Sequence, residues 1–200
     1  MSKRYLPTAE RGTAIIDAAC ALIEERGIAA VTYTAIAQRA NVTRQWMYEF
    51  FPDVESILIA IYSRWERQFL NDALVSCEEY VSHEQHLKSV AESWLTMPVA
   101  SAMVGVYALY CNTDDDSTAA RVHRQLVQNL EVGWTQTLVA AGMDVEHARA
   151  AVMGVNATAY AQRVAIHSGL VTTDAARWYL HAVIDGLTSV VASDAERGTR

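Results

Sequence analysis

The sequence predicts an all-α protein with about nine helices. Three observations predict this fold class: 52% of the 200 residues are hydrophobic, the chain has only three prolines, and long segments repeat apolar residues at helical spacing. No segment shows the alternation of apolar and polar residues that a half-buried strand requires. A chain of this length buries about 70% of its unfolded surface, so its core does not depend on disulfides or metal ions.

Charge is distributed unevenly along the chain. The formal net charge is −7, yet residues 1–52 carry six basic and five acidic side chains, whereas residues 53–200 carry 10 and 18. Because a negative surface repels a polyanion, a nucleic acid would meet only the first quarter of the chain. The composition therefore excludes a protein that coats nucleic acid indiscriminately.

Cysteine usage and the N-terminus indicate a cytoplasmic protein. Cys20, Cys77 and Cys111 lie far apart and lack metal-binding spacing, which favours buried thiols in a reducing compartment. The N-terminus lacks the apolar segment of a signal peptide. The uncharged segment 93–113 contains a proline, a glycine and several hydroxyls, so we interpret it as buried core and expect no membrane association.

The first two helices are defined by their end signals. The first is predicted over Thr8–Arg26, with an apolar stripe on one face and Gly27 just past its end. A two-turn helix follows, with Thr32 as its N-cap and Ile36 among its buried positions. Asn41 tolerates a positive φ, so a tight turn is predicted there.

A third short helix is predicted after the turn. Thr43 is its N-cap and Pro52 ends it. Helical periodicity turns Met47 and Phe51 toward the core. Together with the preceding short helix, this arrangement is a helix-turn-helix unit. The side chains left facing outward are Arg44, Gln45 and Tyr48, with Trp46 at the edge of that face.

These outward side chains suit the major groove of DNA, which the N-terminal residues of such a helix read. Arg44 can donate two hydrogen bonds to guanine, Gln45 can pair with adenine, and Trp46 offers apolar contact to a thymine methyl group. Backbone N–H groups behind the two threonine caps can bind phosphates. The alternative is an ordinary solvated face, with Trp46 turned inward as a core anchor. The candidate DNA-binding residues are Thr32, Tyr33, Thr34, Thr43, Arg44, Gln45, Trp46 and Tyr48.

The stretch VTYTAIAQRANVTRQWMYEFFPDVESIL resembles the DNA-binding signature of the TetR family of one-component transcriptional regulators. The resemblance implies an N-terminal helix-turn-helix DNA-binding domain, residues 1–52, and a C-terminal ligand-binding and dimerisation domain, residues 53–200. The shared positions are two capping threonines, an Ile-Ala pair, the valine of the turn, two aromatic residues and an acidic-aliphatic run: Thr32, Thr43, Ile36-Ala37, Val42, Tyr48, Phe51, Glu55 and Ile57-Leu58.

Three positions depart from the family pattern. Asn41 stands where glycine is usual, Phe50 where histidine is frequent, and Val54 where a lysine usually neutralises a phosphate. The missing lysine puts one contact to the DNA backbone in doubt, because Asp53 and Glu55 flank the position. The basic residues that could replace it are Arg39, Arg44, Lys3 and Arg4.

The remaining sequence predicts six further helices. Asp53 caps the first of them, and a break at Met97-Pro98 precedes the short apolar one. Gly142 and Gly169 mark the ends of two later helices. The predicted ranges are 53–81, 83–95, a short helix ending at Tyr110, 117–141, 144–168 and 172–196.

The resemblance further implies a homodimer formed through the last two helices. Small residues on one helix and an aliphatic stripe on the other would permit close packing against a second copy. Both stripes could instead face the core of their own subunit. The stripes comprise Ala148, Ala151, Gly154, Val155, Ala159 and Ala161 on the first helix and Leu180, Val183, Ile184, Leu187 and Val191 on the second.

The resemblance also implies a pocket for a small-molecule effector among the fourth to eighth helices. An aromatic-rich cavity with few polar groups suits a largely apolar ligand, although aromatic residues at helical spacing are also ordinary core residues. The candidate ligand-binding residues are Trp65, Phe69, Trp94, Met103, Tyr107, Tyr110, Trp134, Asn156 and Tyr160.

The sequence therefore predicts a ligand-responsive DNA-binding transcriptional regulator, a repressor released from a palindromic operator. The alternative is an all-helical carrier or enzyme whose N-terminal unit only packs. No nucleophile-base pair, Gly-rich phosphate loop or carboxylate cluster favours the enzyme, and no cofactor is expected. His83 and His86 lie three positions apart with Glu79 and Glu84 close by, which permits a divalent-metal site, but such spacing is common by chance and we expect no metal there.

Overall fold

The computed structural model describes residues 8–76, 83–109, 120–122, 124, 135–136 and 138–198. These residues form helices and short connections, with no strand among them, so the predicted all-α fold class is confirmed. The α-helices are α1 (Thr8–Arg26), α2 (Tyr33–Ala40), α3 (Arg44–Phe50), α4 (Val54–Ser76), α5 (His83–Thr96), α6 (Val99–Leu109), α7 (Val145–His167) and α8 (Thr173–Gly198).

The helix bounds follow the predicted ones closely, and a short 3-10 turn at Ile28–Ala30 joins α1 to α2. Helical residues at 120–122 and 138–140 fall within the helix predicted for 117–141. Several predicted features lie outside the described residues: the predicted end of α4 at 77–81, Cys77, Cys111, Tyr110, Trp134, Lys3, Arg4 and the side chains of His83, His86 and Val191.

Side-chain caps define the two short N-terminal helices. The Thr32 hydroxyl oxygen accepts a hydrogen bond from the Ala35 N–H at 3.2 Å, and Thr43 accepts one from the Trp46 N–H at the same distance. Both bonds satisfy backbone donors that a helix leaves without partners in its first turn. Between the helices Asn41 adopts φ 53° and ψ 42°, the left-handed conformation that the tight turn requires.

The apolar stripe of α1 holds α2 and α3 in place. Ile15 and Ile23 of α1, Ile36 of α2, Met47 of α3 and Ile57 of α4 are all fully buried in one cluster. Burying one such side chain stabilises the fold by about 1.5–3 kcal/mol. Met47 therefore fixes which face of α3 turns to solvent.

The start of α4 is capped by Asp53. Its carboxylate accepts hydrogen bonds from the Ser56 hydroxyl at 2.6 Å and from the Ser56 N–H at 2.7 Å. The bond from the hydroxyl has the larger effect and the bond from the N–H the smaller one, and together they hold the pKa of Asp53 below its usual value. The capping carboxylate is therefore charged at neutral pH. The helix then buries Ile61, Trp65 and Phe69 at the predicted helical spacing.

The larger part of the fold is built from α4 to α8. Helix α6 packs against α7 and α5 packs against α8. At Gly105 of α6 an added Cβ would lie 2.8 Å from ring carbons of Tyr160, so glycine permits this close approach. The Tyr160 hydroxyl in turn lies 2.5 Å from that of Tyr62, and both side chains are buried.

Helix α1 also contacts α4 and α6, so buried residues of the first quarter and of the remainder form one continuous cluster. The domain boundary between residues 52 and 53 stays a prediction. Among the described helices, none combines the length and the apolar composition that a membrane span requires.

Candidate nucleic-acid interface

The first two turns of α3 present an exposed polar row. Thr43, Arg44 and Gln45 are exposed, and Tyr48 is 55% exposed. The Arg44 guanidinium makes no ion pair with any residue in the described part of the chain. Because Met47 anchors the opposite face of the helix in the core, these side chains project away from the body of the protein.

Tyr33 supports this row from α2. Its ring stacks on the Tyr48 ring with 4.7 Å between centroids, and its hydroxyl donates a hydrogen bond of 2.6 Å to the Phe51 carbonyl oxygen. Burial, followed by the charge of Asp53, raises the pKa of Tyr33, so the phenol stays protonated. The Tyr33 hydroxyl therefore holds α2 against the end of α3. Thr32 and Thr34, on either side of Tyr33 in the sequence, are exposed.

Trp46 is half-buried. The sequence left open whether this side chain faces outward, toward DNA, or inward as a core anchor. The Arg11 guanidinium of α1 lies over the Trp46 ring, 3.8 Å from its centroid. A cation in this position is attracted by the ring quadrupole. The ring is thus neither a core anchor nor a free outward face, since Arg11 covers one side of it.

Two of the other basic side chains near this surface are already paired. Arg39 donates hydrogen bonds of 2.7 and 2.5 Å to the two carboxylate oxygens of Glu25. Arg121 forms an ion pair with Glu55 in the first turn of α4, where Val54 replaces the family lysine. Within the exposed row of α3, Arg44 supplies the positive charge. Arg39 can contact a phosphate only if its ion pair with Glu25 breaks.

Sequence reasoning missed Arg11, Glu25 and Arg121 as partners. Arg39 and Glu25 are 14 positions apart, and Arg121 and Glu55 are 66 apart. No local spacing signal connects residues at such distances, because helix neighbours are three or four positions apart. Only the packing of α1 against α2, and of residues 120–122 near the start of α4, brings them together.

Residues 15–61 match the family model described as bacterial regulatory proteins, tetR family. This match covers about a quarter of the chain. The match runs from the middle of α1 to the first part of α4 and includes the helix-turn-helix unit and the exposed row of α3. The resemblance found in the sequence is therefore confirmed. No curated protein matches the chain significantly in a sequence comparison.

Solved structures extend the likeness to the whole fold. A TetR-like transcriptional regulator from Rhodococcus sp. RHA1 is 17% identical, with 90% of this chain and 96% of that one covered and a TM-score of 0.65. A TetR-family regulator from Streptomyces coelicolor is 16% identical, with 92% and 96% covered and a TM-score of 0.65. The regulator FadR from Bacillus subtilis, solved in complex with stearoyl-CoA, is 20% identical, with 90% and 96% covered and a TM-score of 0.62.

On α7 and α8 the residues predicted to contact a second copy do not all face outward. Ala148, Ala159, Leu180 and Ile184 are buried in the core of their own subunit. Helical periodicity could not separate an inward stripe from an outward one, because α7 carries small residues on both sides. The outward small residues of α7 are Gly154, Ala157, Ala161 and Ala165.

A shallow apolar groove runs along this outward face. Its volume is about 610 Å³, and its walls include Val106 of α6, the small residues of α7 and Leu170. Leu170 is 79% exposed and Trp178 of α8 is 72% exposed. The groove, Leu170 and Trp178 together are called the outer apolar face below.

The predicted ligand residues fall into two buried groups. Trp65 and Phe69 stack with 5.3 Å between centroids, and Tyr62 packs edge-on against Trp65. Trp94 instead lines a small cavity of about 20 Å³ between α5, α7 and α8. Met103 and Tyr107 are half-buried, Asn156 and Tyr160 are fully buried, and Tyr110 and Trp134 lie outside the described residues.

The cavity beside Trp94 is almost wholly apolar. It holds about one water-sized probe, so it would have to widen to admit an organic ligand. Its walls are Leu87, Trp94, Leu138, Ala151, Val152, Val155, Ile184 and Leu187.

Proposed function

We propose that this protein is a homodimeric cytoplasmic repressor of the TetR type, which binds a palindromic DNA operator through α3 and is released by a small, largely apolar effector. The observation that carries the proposal is the exposed row Thr43, Arg44, Gln45 and Tyr48, held outward by Met47 within a domain that matches the tetR family model.

The row has the chemistry that base reading requires. Arg44 can donate two parallel hydrogen bonds to guanine and Gln45 can pair with adenine. Tyr48 is braced by the Tyr33 ring and can donate its hydroxyl proton to a phosphate oxygen. Backbone N–H groups at the starts of α2 and α3 offer further phosphate contacts next to Thr32 and Thr43.

A second copy of the chain is proposed to cover the outer apolar face. The small side chains of α7 let another helix approach closely, and Leu170 and Trp178 supply apolar area for an isologous contact. Such a dimer would place two copies of α3 on one side of the duplex. Half-sites about one helical turn, ~35 Å, apart are then expected.

The effector is proposed to enter next to the cavity lined by Trp94. Because the cavity is small, the effector must select a conformation in which α5 and α7 lie farther apart, and its differential affinity for that conformation drives release of DNA. The ion pair between Glu55 and Arg121 ties the first turn of α4 to the body of the protein and can transmit the change. FadR from Bacillus subtilis, solved in complex with stearoyl-CoA, shares this fold, and the long acyl chain of that ligand supports an effector with a large apolar part.

The proposal is tested by selecting bound duplexes from a random DNA pool with purified protein at two salt concentrations. An enriched palindrome whose affinity falls steeply with salt supports the repressor, because phosphate contacts release counterions. Binding that vanishes even at low salt, with no enriched sequence, would favour the alternative of an all-helical carrier.

A further inference from the structure

A buried amide on α7 has no hydrogen-bonding partner among the residues that the structure describes. Asn156 is 1% exposed, and neither its Oδ1 nor its Nδ2 has a hydrogen-bonding partner in the described part of the chain. Buried polar groups in native proteins almost always have partners, and each exception calls for an explanation. The amide combines one acceptor with two donors, so several hydrogen bonds are left unmade.

The position of Asn156 on α7 relates it to the effector cavity. Val152, one helical turn earlier, lines the cavity, and Tyr160, one turn later, contacts Gly105 and Tyr62. Residues four positions apart lie above one another on the same helix face. Asn156 therefore lies on the inward face of α7, between the apolar cavity and the buried tyrosine pair.

A second buried polar group, also without a partner among the described residues, lies on the segment that precedes Gly142. The Thr135 hydroxyl is buried and has no hydrogen-bonding partner in the described residues. Leu138, one turn after it, packs against Ala148 and Val152 of α7. Because the chain reverses at Gly142 between the two segments, Thr135 lies on the side of Leu138 that is directed toward the Asn156 end of α7.

We infer that Asn156 is the polar recognition point of the effector site, and that the effector is an uncharged molecule whose apolar body carries an amide-like group able to accept and donate hydrogen bonds at once. This inference rests on the proposed function and specifies the ligand class. The walls of the adjacent cavity carry no charged side chain. A charged effector would be left without a counter-ion there, whereas an amide can exchange paired hydrogen bonds with Asn156.

The ligand arm of the test uses three probes on the full-length protein: hexanamide, its apolar isostere 2-methyl-1-heptene, and hexanoate. Dissociation constants are read from tryptophan fluorescence, since Trp94 lines the cavity. Asn156→Leu should raise the Kd of hexanamide at least 10-fold while leaving or lowering that of the isostere. Wild type should bind hexanoate at least 10-fold more weakly than hexanamide. Gln162→Leu, which removes a side-chain amide elsewhere on α7, should leave all three constants unchanged.

Equal changes for hexanamide and its isostere, or hexanoate binding as tightly as hexanamide, would overturn the inference. The inference would also be overturned if wild type selected a DNA duplex but bound neither hexanamide nor the isostere. That result would leave the proposed DNA recognition intact. Failure to select any duplex would instead refute the proposed function.

A ligand-free measurement tests whether the amide lacks partners. Leucine has the same branched, four-atom side chain as asparagine without its polar atoms, but it is larger. Asn156→Leu should remove an uncompensated desolvation cost and raise Tm by about 2–4 °C, less the cost of fitting the larger side chain. Gln162→Leu on the same helix is the matched control and should leave Tm within 1 °C or so. A lower Tm for Asn156→Leu and also for the smaller Asn156→Val would show that water or protein already satisfies the amide, and would overturn the inference.

Discussion

Truncating Trp178 tests the proposed dimer surface most sharply. The side chain is 72% exposed in the single chain, so of a tryptophan area of about 250 Å² some 180 Å² is available for burial. Alanine would keep roughly a third of this area, and the lost burial corresponds to about 3 kcal/mol per protomer at ~25 cal/mol per Å². An isologous interface contains the residue twice, which gives an upper limit of about 6 kcal/mol per dimer.

Association also has ordering and desolvation costs that area does not capture, so the expected change lies below this limit. We expect Trp178→Ala to raise the dimer dissociation constant at least 100-fold, which is about 2.7 kcal/mol. The assay is sedimentation equilibrium across nanomolar to micromolar protein. Val139→Ala is the matched control, because Val139 is also an exposed apolar residue but lies before the last two helices. An unchanged dimer in Trp178→Ala, or equal weakening in both variants, would refute this placement of the interface.

Three further changes test the reading surface and the core. Arg44→Ala should weaken binding to the selected duplex by about 1–3 kcal/mol per half-site in fluorescence anisotropy, whereas Arg39→Ala should have a smaller effect because Glu25 already holds that guanidinium. Gly105→Ala should lower the free energy of unfolding by about 1–3 kcal/mol in denaturant titration, because its Cβ would lie 2.8 Å from the ring of its tyrosine neighbour. Tyr62→Phe and Tyr160→Phe should each cost about 1–3 kcal/mol by leaving one buried hydroxyl unpaired, and the double variant should cost less than their sum.

A specific result would contradict each of these three predictions. Equal losses of affinity in Arg44→Ala and Arg39→Ala would mean that the ion pair with Glu25 does not hold in solution. Gly186→Ala is the control for the glycine change, since nothing lies within 4 Å of an added Cβ there; a similar loss of stability in both would argue against a steric cause. Strict additivity of the two tyrosine changes would contradict a shared hydrogen bond.

The sequence was sufficient for features that depend on neighbouring residues. The caps at Thr32 and Thr43 and the turn at Asn41 were predictable, because each depends on chemistry within one helical turn. The outward direction of Arg44 and Tyr48 followed from helical periodicity once Met47 was assigned to the core.

Features that depend on packing were not predictable. The position of Arg11 over Trp46 and the pairing of Arg39 with Glu25 join separate helices, for which periodicity provides no signal. On α7 the small residues occupy both sides, so the sequence could not show that Ala159 faces inward while Ala161 faces outward. That Asn156 has no hydrogen-bonding partner among the described residues likewise depends on what surrounds the side chain, since residue type alone predicts a partner.

The most direct test of base reading by α3 is to repeat the duplex selection with Arg44→Ala. We expect wild type to enrich a palindrome with half-sites about one helical turn apart, and Arg44→Ala to retain that spacing while losing preference at a single guanine in each half-site. The same palindrome with every position unchanged would show that Arg44 contacts no base, and would contradict the assignment of α3 as the reading helix.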